Sequence, residues 1–146
     1  MKKVALSIVI LLLLITMVSC GGNKENATAP EIEDPITLKM SIVLDEGIKD
    51  DGYKEIKDVE FKANKGMTIL EATKLFCVSK DIDLEVDPKG VYITHLNGLT
   101  EKDFSEMTGW SFTVNGELGT LSAAEQVAND GDNIEWKFLD FSSISW

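Results

Sequence analysis

The sequence predicts an α+β fold in which one helix packs on a mixed sheet of four or five strands. Several short stretches alternate apolar and polar residues at the period of a half-buried strand. Only one stretch places apolar residues at helical spacing. Their order along the chain is a hairpin, the helix and a further hairpin, which is the plan of a β-grasp-like domain.

The first folded stretch is predicted to be an N-terminal β-hairpin. From Ile36 to Leu44 every second residue is apolar, as in a strand with one buried face. Glu55–Ala63 alternates again as the returning strand. The acidic segment 45–52 between them lacks the ligand spacing and the final glutamate of a calcium loop, so we interpret it as a solvated hairpin loop.

The predicted helix begins at a capping box and runs to Lys80. Thr68 and Glu71 stand three residues apart, where a hydroxyl and a carboxylate can each satisfy a free backbone N–H of the first turn. Apolar residues then fall largely on one side of the helix, at Ile69, Ala72, Leu75, Phe76 and Val78. This face must cover a sheet.

The second half of the chain is predicted to form short strands joined by turns. Strand candidates are Ile82–Val86 and Val91–Leu96, and a polar excursion over residues 100–107 has room for one helical turn. The longest unit is Gly109–Phe141, which predicts a strand, a tight Asn115-Gly116 turn, a short return, a compact loop, an Asp-Gly turn and a closing strand.

The N-terminus predicts export followed by lipid anchoring. A basic start and the apolar run 4–18, which is shorter than the ~20 residues of a spanning helix, are typical of a secretory signal. A cysteine directly after the small residue Ser19 resembles a bacterial lipobox, which implies lipid on Cys20 and a place on the extracytoplasmic face of the cell membrane. The alternative is an uncleaved anchor in which Cys20 has no role.

The chain is therefore divided into three parts. Residues 1–19 are the predicted lipoprotein signal peptide, residues 20–35 are the lipidated cysteine with a flexible polar tether, and residues 36–146 are the folded domain. The net charge of the whole chain is −11, and loss of Lys2 and Lys3 with the signal makes it −13. Such acidity argues against nucleic acid as a partner and against a basic membrane patch, which leaves the lipid as the attachment.

No catalytic constellation is visible, and we predict that the protein is not an enzyme. Cys77 has no disulfide partner if Cys20 is lipidated, and its place on the apolar helix favours a buried side chain over a reactive nucleophile. His95 is the only histidine. We favour a satisfied or exposed strand histidine over a metal ligand, because a zinc site needs several nitrogen or sulfur ligands. No metal site is predicted.

Four pieces of the sequence, taken in order, carry a family resemblance. They are Gly66–Glu71 at the helix start, residues 90–94 with 96–99, Gly109-Trp110 with 114–116, and Asn129–Trp136 before the last strand. Together they resemble the C-terminal β-domain of the transcobalamin and intrinsic factor family and its small bacterial secreted relatives. The resemblance implies a β-grasp-like fold and a cobalamin or other corrinoid as ligand, with no cofactor required for chemistry.

The candidate ligand-binding residues are Trp110, Phe112, Tyr92 and Asn115. Trp110 and Phe112 share one face of their strand and Tyr92 can lie on a neighbouring one, so that they form an aromatic platform for a flat, largely apolar ligand. The alternatives are that Trp110 and Phe112 fill the core under the helix, and that Asn115 serves only its turn. Trp146 is either an exposed tail residue or packs at the domain edge.

These features give two functional hypotheses. The first is a lipid-anchored extracytoplasmic binding module that captures or presents a corrinoid, with the membrane and an uptake-system protein as partners. The second is a surface protein-interaction module without a small-molecule ligand, in which an open sheet edge or the Trp110 face meets another protein. An edge strand can recruit an extended partner by strand addition.

Overall fold

The computed structural model describes residues 31–143, so the predicted signal peptide, Cys20 and Trp146 lie outside the described residues. None of the helices within this range is long and apolar enough to span a membrane. The elements are β1 (Pro35–Leu44), β2 (Ile56–Asn64), α1 (Ile69–Lys80), β3 (Leu84–Val86), β4 (Ile93–Leu96), β5 (Leu99–Thr100), β6 (Thr108–Val114), β7 (Glu117–Leu118), β8 (Asn133–Asp140) and a final 3-10 turn (Phe141–Ser143).

Five strands form a mixed sheet in the order β2-β1-β8-β6-β7. The central pair β1 and β8 is parallel, and the other neighbours are antiparallel. One helix against this sheet confirms the predicted α+β class and the predicted mixed sheet of four or five strands, of which five are observed. The strands β3, β4 and β5 pair separately as a small three-stranded sheet, which the periodicity of the sequence did not distinguish from the main one.

The core lies between α1 and one face of the main sheet, called here the inner face. Leu38, Met40 and Ile42 of β1 are fully buried there. From β8, Trp136 packs beside them and donates its indole N–H to the Thr73 hydroxyl of α1 over 2.9 Å. Burial of each large side chain of this kind contributes about 1.5–3 kcal/mol, so this face provides most of the driving force for folding.

The N-terminus of α1 is capped by the long loop 119–132. The predicted capping box is present, with the Glu71 N–H donating to Thr68 Oγ1 over 3.2 Å. The N–H groups of Ile69 and Leu70 donate to the carbonyls of Gln126 and Ala123, each over 2.8 Å. Because these first-turn donors are all used inside the protein, the end of α1 offers no free N–H group to an anion.

Gly119 lies where the chain leaves β7 and enters the capping loop. A Cβ atom at this position would stand 2.4 Å from Cζ of Phe112 and 2.9 Å from Oε1 of Gln126. The Phe112 ring cannot easily swing aside, because it packs on Trp136 with ring centroids 5.2 Å apart. Glycine is therefore required here for close packing.

We predict that Gly119→Ala lowers the free energy of unfolding by about 1–3 kcal/mol, the usual cost of overpacking a filled space. Urea unfolding followed by circular dichroism measures the change. The matched control is Gly47→Ala, whose Cβ would meet only Asp45 Oδ2 at 3.6 Å. Equal losses in the two variants would show that the Phe112 contact is not responsible.

Candidate functional site

Strand β6 carries the candidate aromatic residues on the inner face of the sheet. Trp110 stands opposite Phe138 of β8 and Phe112 opposite Trp136. The ring centroids are 5.0 Å apart in the first pair and 5.2 Å in the second. Trp110 and Phe112 are thus brought together in one aromatic row, and both are only half-buried.

Trp110 connects the two sheets. Its indole N–H donates to the carbonyl of Leu99 in β5 over 3.1 Å, while its ring meets Phe138 nearly edge-on. A buried tryptophan normally finds such a partner for its N–H, and the hydrogen bond fixes the ring plane. Trp110 is therefore both a packing residue and a fixed aromatic surface at the junction of the sheets.

Phe104 extends the aromatic row to the surface, and the sequence analysis missed it. Its ring is 45% exposed and packs edge-on against the buried Phe138, with centroids 6.0 Å apart. It borders a groove of about 320 Å³. We call this the aromatic groove; its lining includes Ile48, Phe104, Ser105, Thr108, Asp45 and Asp140. The sequence signal that could have identified it was a single aromatic residue in the largely polar segment 100–107.

Asn115 has a structural role at the turn between β6 and β7. Its φ is +55° and that of Gly116 is +83°, as a type I′ hairpin turn requires. The Asn115 side chain donates to Asp132 Oδ1 over 2.8 Å and accepts the Asn133 N–H over 2.9 Å. Both ends of the amide are occupied within the chain, which ties the hairpin to the start of β8.

Tyr92 does not lie on a strand that pairs with β6. It directly precedes β4 in the small sheet, and its ring is 52% exposed. Its N–H donates to Asp87 Oδ1 over 2.9 Å. That carboxylate also accepts the N–H groups of Lys89 and Val91, and these bonds lower the pKa of Asp87.

His95 contacts two side chains in the small sheet. Its Nδ1 faces the Thr100 hydroxyl at 2.8 Å, and its Nε2 is hydrogen-bonded to Asp83. Burial raises the pKa of Asp83, but hydrogen bonds from His95 and the Gly98 N–H outweigh burial and lower it. The Thr100 N–H donates to the carboxylate of Asp103 over 2.7 Å.

Cys77 is a free cysteine in the part of the chain that the structure describes. Among residues 31–143, no three His, Cys, Asp or Glu side chains are grouped so as to hold a metal ion. Cys77 is buried in α1 with 2% of its surface exposed. Burial, with a smaller effect of the Asp83 charge, raises the pKa of its thiol to about 12.

Comparison with known proteins gives the family of the chain. Residues 66–140 match the family described as "Domain of unknown function (DUF4430)". The chain belongs to this family. The matched range of the DUF4430 domain starts just before α1 and includes β6, the capping loop and β8. No curated protein matches the sequence.

The fold of this chain also occurs in a solved structure. A crystal structure of haptocorrin in complex with Cbi superimposes with a TM-score of 0.57 at 19% identity, covering 76% of this chain and 26% of the haptocorrin chain. The DUF4430 chain thus spans about a quarter of that protein. A Ruminococcus gnavus protein described as a candidate metal-binding protein aligns with a TM-score of 0.46 at 23% identity, covering 74% of this chain and 98% of the other. Haptocorrin confirms the transcobalamin-like fold predicted from the sequence.

We predict that Cys77 of the native protein does not react with a maleimide at pH 8. With a thiol pKa of about 12, only about one molecule in ten thousand carries the reactive thiolate at that pH, and the buried sulfur is also shielded. Peptide mass spectrometry after a timed reaction measures the modified fraction. Modification should become complete in guanidinium chloride, and rapid modification of native Cys77 would show that α1 opens readily.

Proposed function

We propose that this protein is a lipid-anchored extracytoplasmic binding module that captures or presents a corrinoid at the aromatic groove, whose Phe104 packs on the same Phe138 ring as Trp110. The observation that carries the proposal is the graded aromatic row. Its inner end is the buried Trp136, its middle is the half-buried Trp110 on Phe138, and its outer end is the exposed Phe104. A fixed aromatic surface that reaches solvent is suited to a flat, apolar ring.

The chemistry around the aromatic groove supports a ligand with polar substituents. Ile48 and Phe104 offer apolar contact, whereas Ser105 and Thr108 place hydroxyl groups beside them. A corrin macrocycle combines an apolar ring with amide side chains at its rim, and sites for such ligands pair an apolar floor with a few placed polar groups. At about 320 Å³ the groove can hold one edge of a corrin and not the whole molecule.

The fold likeness to haptocorrin supports a corrinoid as the first candidate, because that protein was crystallised with Cbi. The superposition covers only 26% of the haptocorrin chain, so the rest of that protein has no counterpart in the residues matched here. We therefore propose weak binding by this domain alone, and an uptake-system protein that completes the site. The proposal assigns no catalytic step to the domain.

We predict that Phe104→Ala weakens corrinoid binding about five- to tenfold, because the exposed part of the ring would be buried by the ligand. Equilibrium dialysis of the full chain against cobalamin and against cobinamide, read by corrinoid absorbance, measures the affinity without relying on tryptophan fluorescence. Circular dichroism shows whether the variant remains folded. The absence of binding at millimolar corrinoid would contradict the corrinoid proposal.

Tyr92→Ala is the matched control for the position of the site. Tyr92 is also an exposed aromatic residue, at 52%, but it belongs to the small sheet. Binding should be unchanged in this variant. A loss in Tyr92→Ala with full binding in Phe104→Ala would move the ligand to the small sheet and refute the aromatic groove.

We predict that Cys20→Ser moves the protein from the membrane fraction to the soluble fraction of a bacterium that processes lipoproteins. Lipid on Cys20 is the proposed attachment, because a chain with a net charge of −11 is repelled by anionic lipid headgroups. Fractionation with immunoblotting measures the distribution, and the intact mass of the wild-type protein should show diacylglycerol on Cys20. A wild-type protein that retains residues 1–19 would support the uncleaved anchor instead.

A further inference from the structure

The edge of β6 opposite β8 is open over a short length. The Asn115 N–H donates to Asn133 O and the Phe141 N–H to Met107 O, which fixes the alternation of hydrogen bonds between β6 and β8. Odd-numbered residues of β6 therefore direct their backbone groups to β8, and even-numbered residues direct theirs away. Trp110 and Phe112 thus present N–H and C=O groups at the outer edge.

Both ends of this edge are closed by the chain itself. At one end Thr108 accepts the Lys102 N–H over 2.9 Å and donates its own N–H to Ser105 O. At the other end Val114 pairs with Glu117 of β7. Between these points, in residues 31–143, no strand pairs with the edge at Trp110 or Phe112. The N–H and C=O groups of Trp110 and Phe112 therefore form a gap in the pairing of this edge, with the spacing that one further strand would need.

The opposite edge of the sheet is protected in the way that natural edges usually are. Strand β2 carries exposed Lys57, Glu60 and Lys62. It also contains a bulge at Asp58, where φ is +52° and the N–H donates to Ser41 Oγ over 2.9 Å. Charges and bulges of this kind prevent pairing with other chains. The open part of β6 contains no charged residue and no bulge.

The surroundings of the gap suit the side chains of an incoming strand. Leu118 is 72% exposed and Leu121 is 55% exposed on the chain that follows β6. On the outer face of the sheet, away from α1, lies a groove of about 300 Å³, here called the outer-face groove, whose lining includes Ser111, Thr113, Leu118 and Leu139 together with the charged residues Lys137, Asp45 and Asp140. In strand addition the backbone supplies affinity and such a pocket selects every second side chain.

We propose that the open edge of β6 binds an extended polypeptide segment by strand addition at Trp110 and Phe112, with an apolar side chain of the segment in the outer-face groove. The uncharged edge and the exposed leucines favour an uncharged segment with alternating apolar residues. This partner differs from the corrinoid in its main contacts, because strand addition uses the backbone groups of β6, and the outer-face groove shares only Asp45 and Asp140 with the aromatic groove. Its four backbone hydrogen bonds each contribute about two- to tenfold to affinity.

The test selects peptides for the full chain from a display library of random linear peptides. The strongest peptide is resynthesised with one N-methyl group at each position in turn. We expect a period of two, in which alternate N-methyl groups weaken binding at least about fivefold and the intervening ones have little effect. We also expect the bound peptide to slow hydrogen exchange at the Trp110 and Phe112 amides. N-methyl effects without alternation, or unchanged exchange at both amides, would refute strand addition.

Paired surface variants provide the control. Leu118→Lys with Leu121→Lys should reduce peptide affinity at least about tenfold, because charge at an edge opposes pairing. Val78→Lys replaces another exposed apolar residue, 46% exposed on α1, and should leave affinity unchanged. A selection that enriches no peptide would overturn the proposal. So would edge amides that are already protected in the free chain, or a dimer in sedimentation that the two leucine variants dissociate.

Discussion

The parallel pairing of β1 with β8 is the constraint on which the rest of this domain depends. It joins the first strand to the last, so the sheet cannot close until nearly the whole domain is present. The pairing is fixed at its start by the turn before β8. Gly131 N–H donates to Thr37 O, and Lys39 N–H donates to Asp132 O over 3.0 Å. The buried Asp132 side chain also accepts from Asn115, so one residue fixes the start of β8 through its backbone carbonyl and holds the β6–β7 hairpin through its carboxylate.

The capping of α1 explains why β6 has an open edge. To reach the helix N-terminus, the chain must leave the sheet soon after the hairpin, and β7 accordingly contains only Glu117 and Leu118. The carbonyls of Ala123 and Gln126 then satisfy the first turn of the helix. Had β7 continued in the sheet, it would have covered Trp110 and Phe112 but left the helix end without these partners. Stability of the helix and exposure of the strand edge are thus consequences of one chain path.

Features set by neighbouring residues could be predicted from the sequence, whereas those set by distant contacts could not. Thr68 and Glu71 predict the start of the helix, and Asn115-Gly116 predicts a turn, because the capping box and the turn both depend only on neighbouring residues. Alternation predicted the strands but not their partners, so nothing in it separated Tyr92 from the sheet that holds Trp110. Phe104 was missed for the same reason: its role depends on Phe138, which is distant in the chain but adjacent in space.

The site arises because one helix cannot cover five strands. A helix is about 10 Å wide and the strands are about 4.8 Å apart, so α1 covers roughly two of them. Its contacts favour the β2 side, where Phe61 meets Phe76 with centroids 5.0 Å apart. On the β6 side the small sheet covers the inner face instead of α1, and the hydrogen bond from Trp110 to Leu99 joins it to the main sheet. The exposure of the aromatic row therefore rises from Trp136 to Phe104, between the part of the sheet covered by α1 and the part covered by the small sheet. A surface of this kind persists without a ligand because its inner half is part of the core.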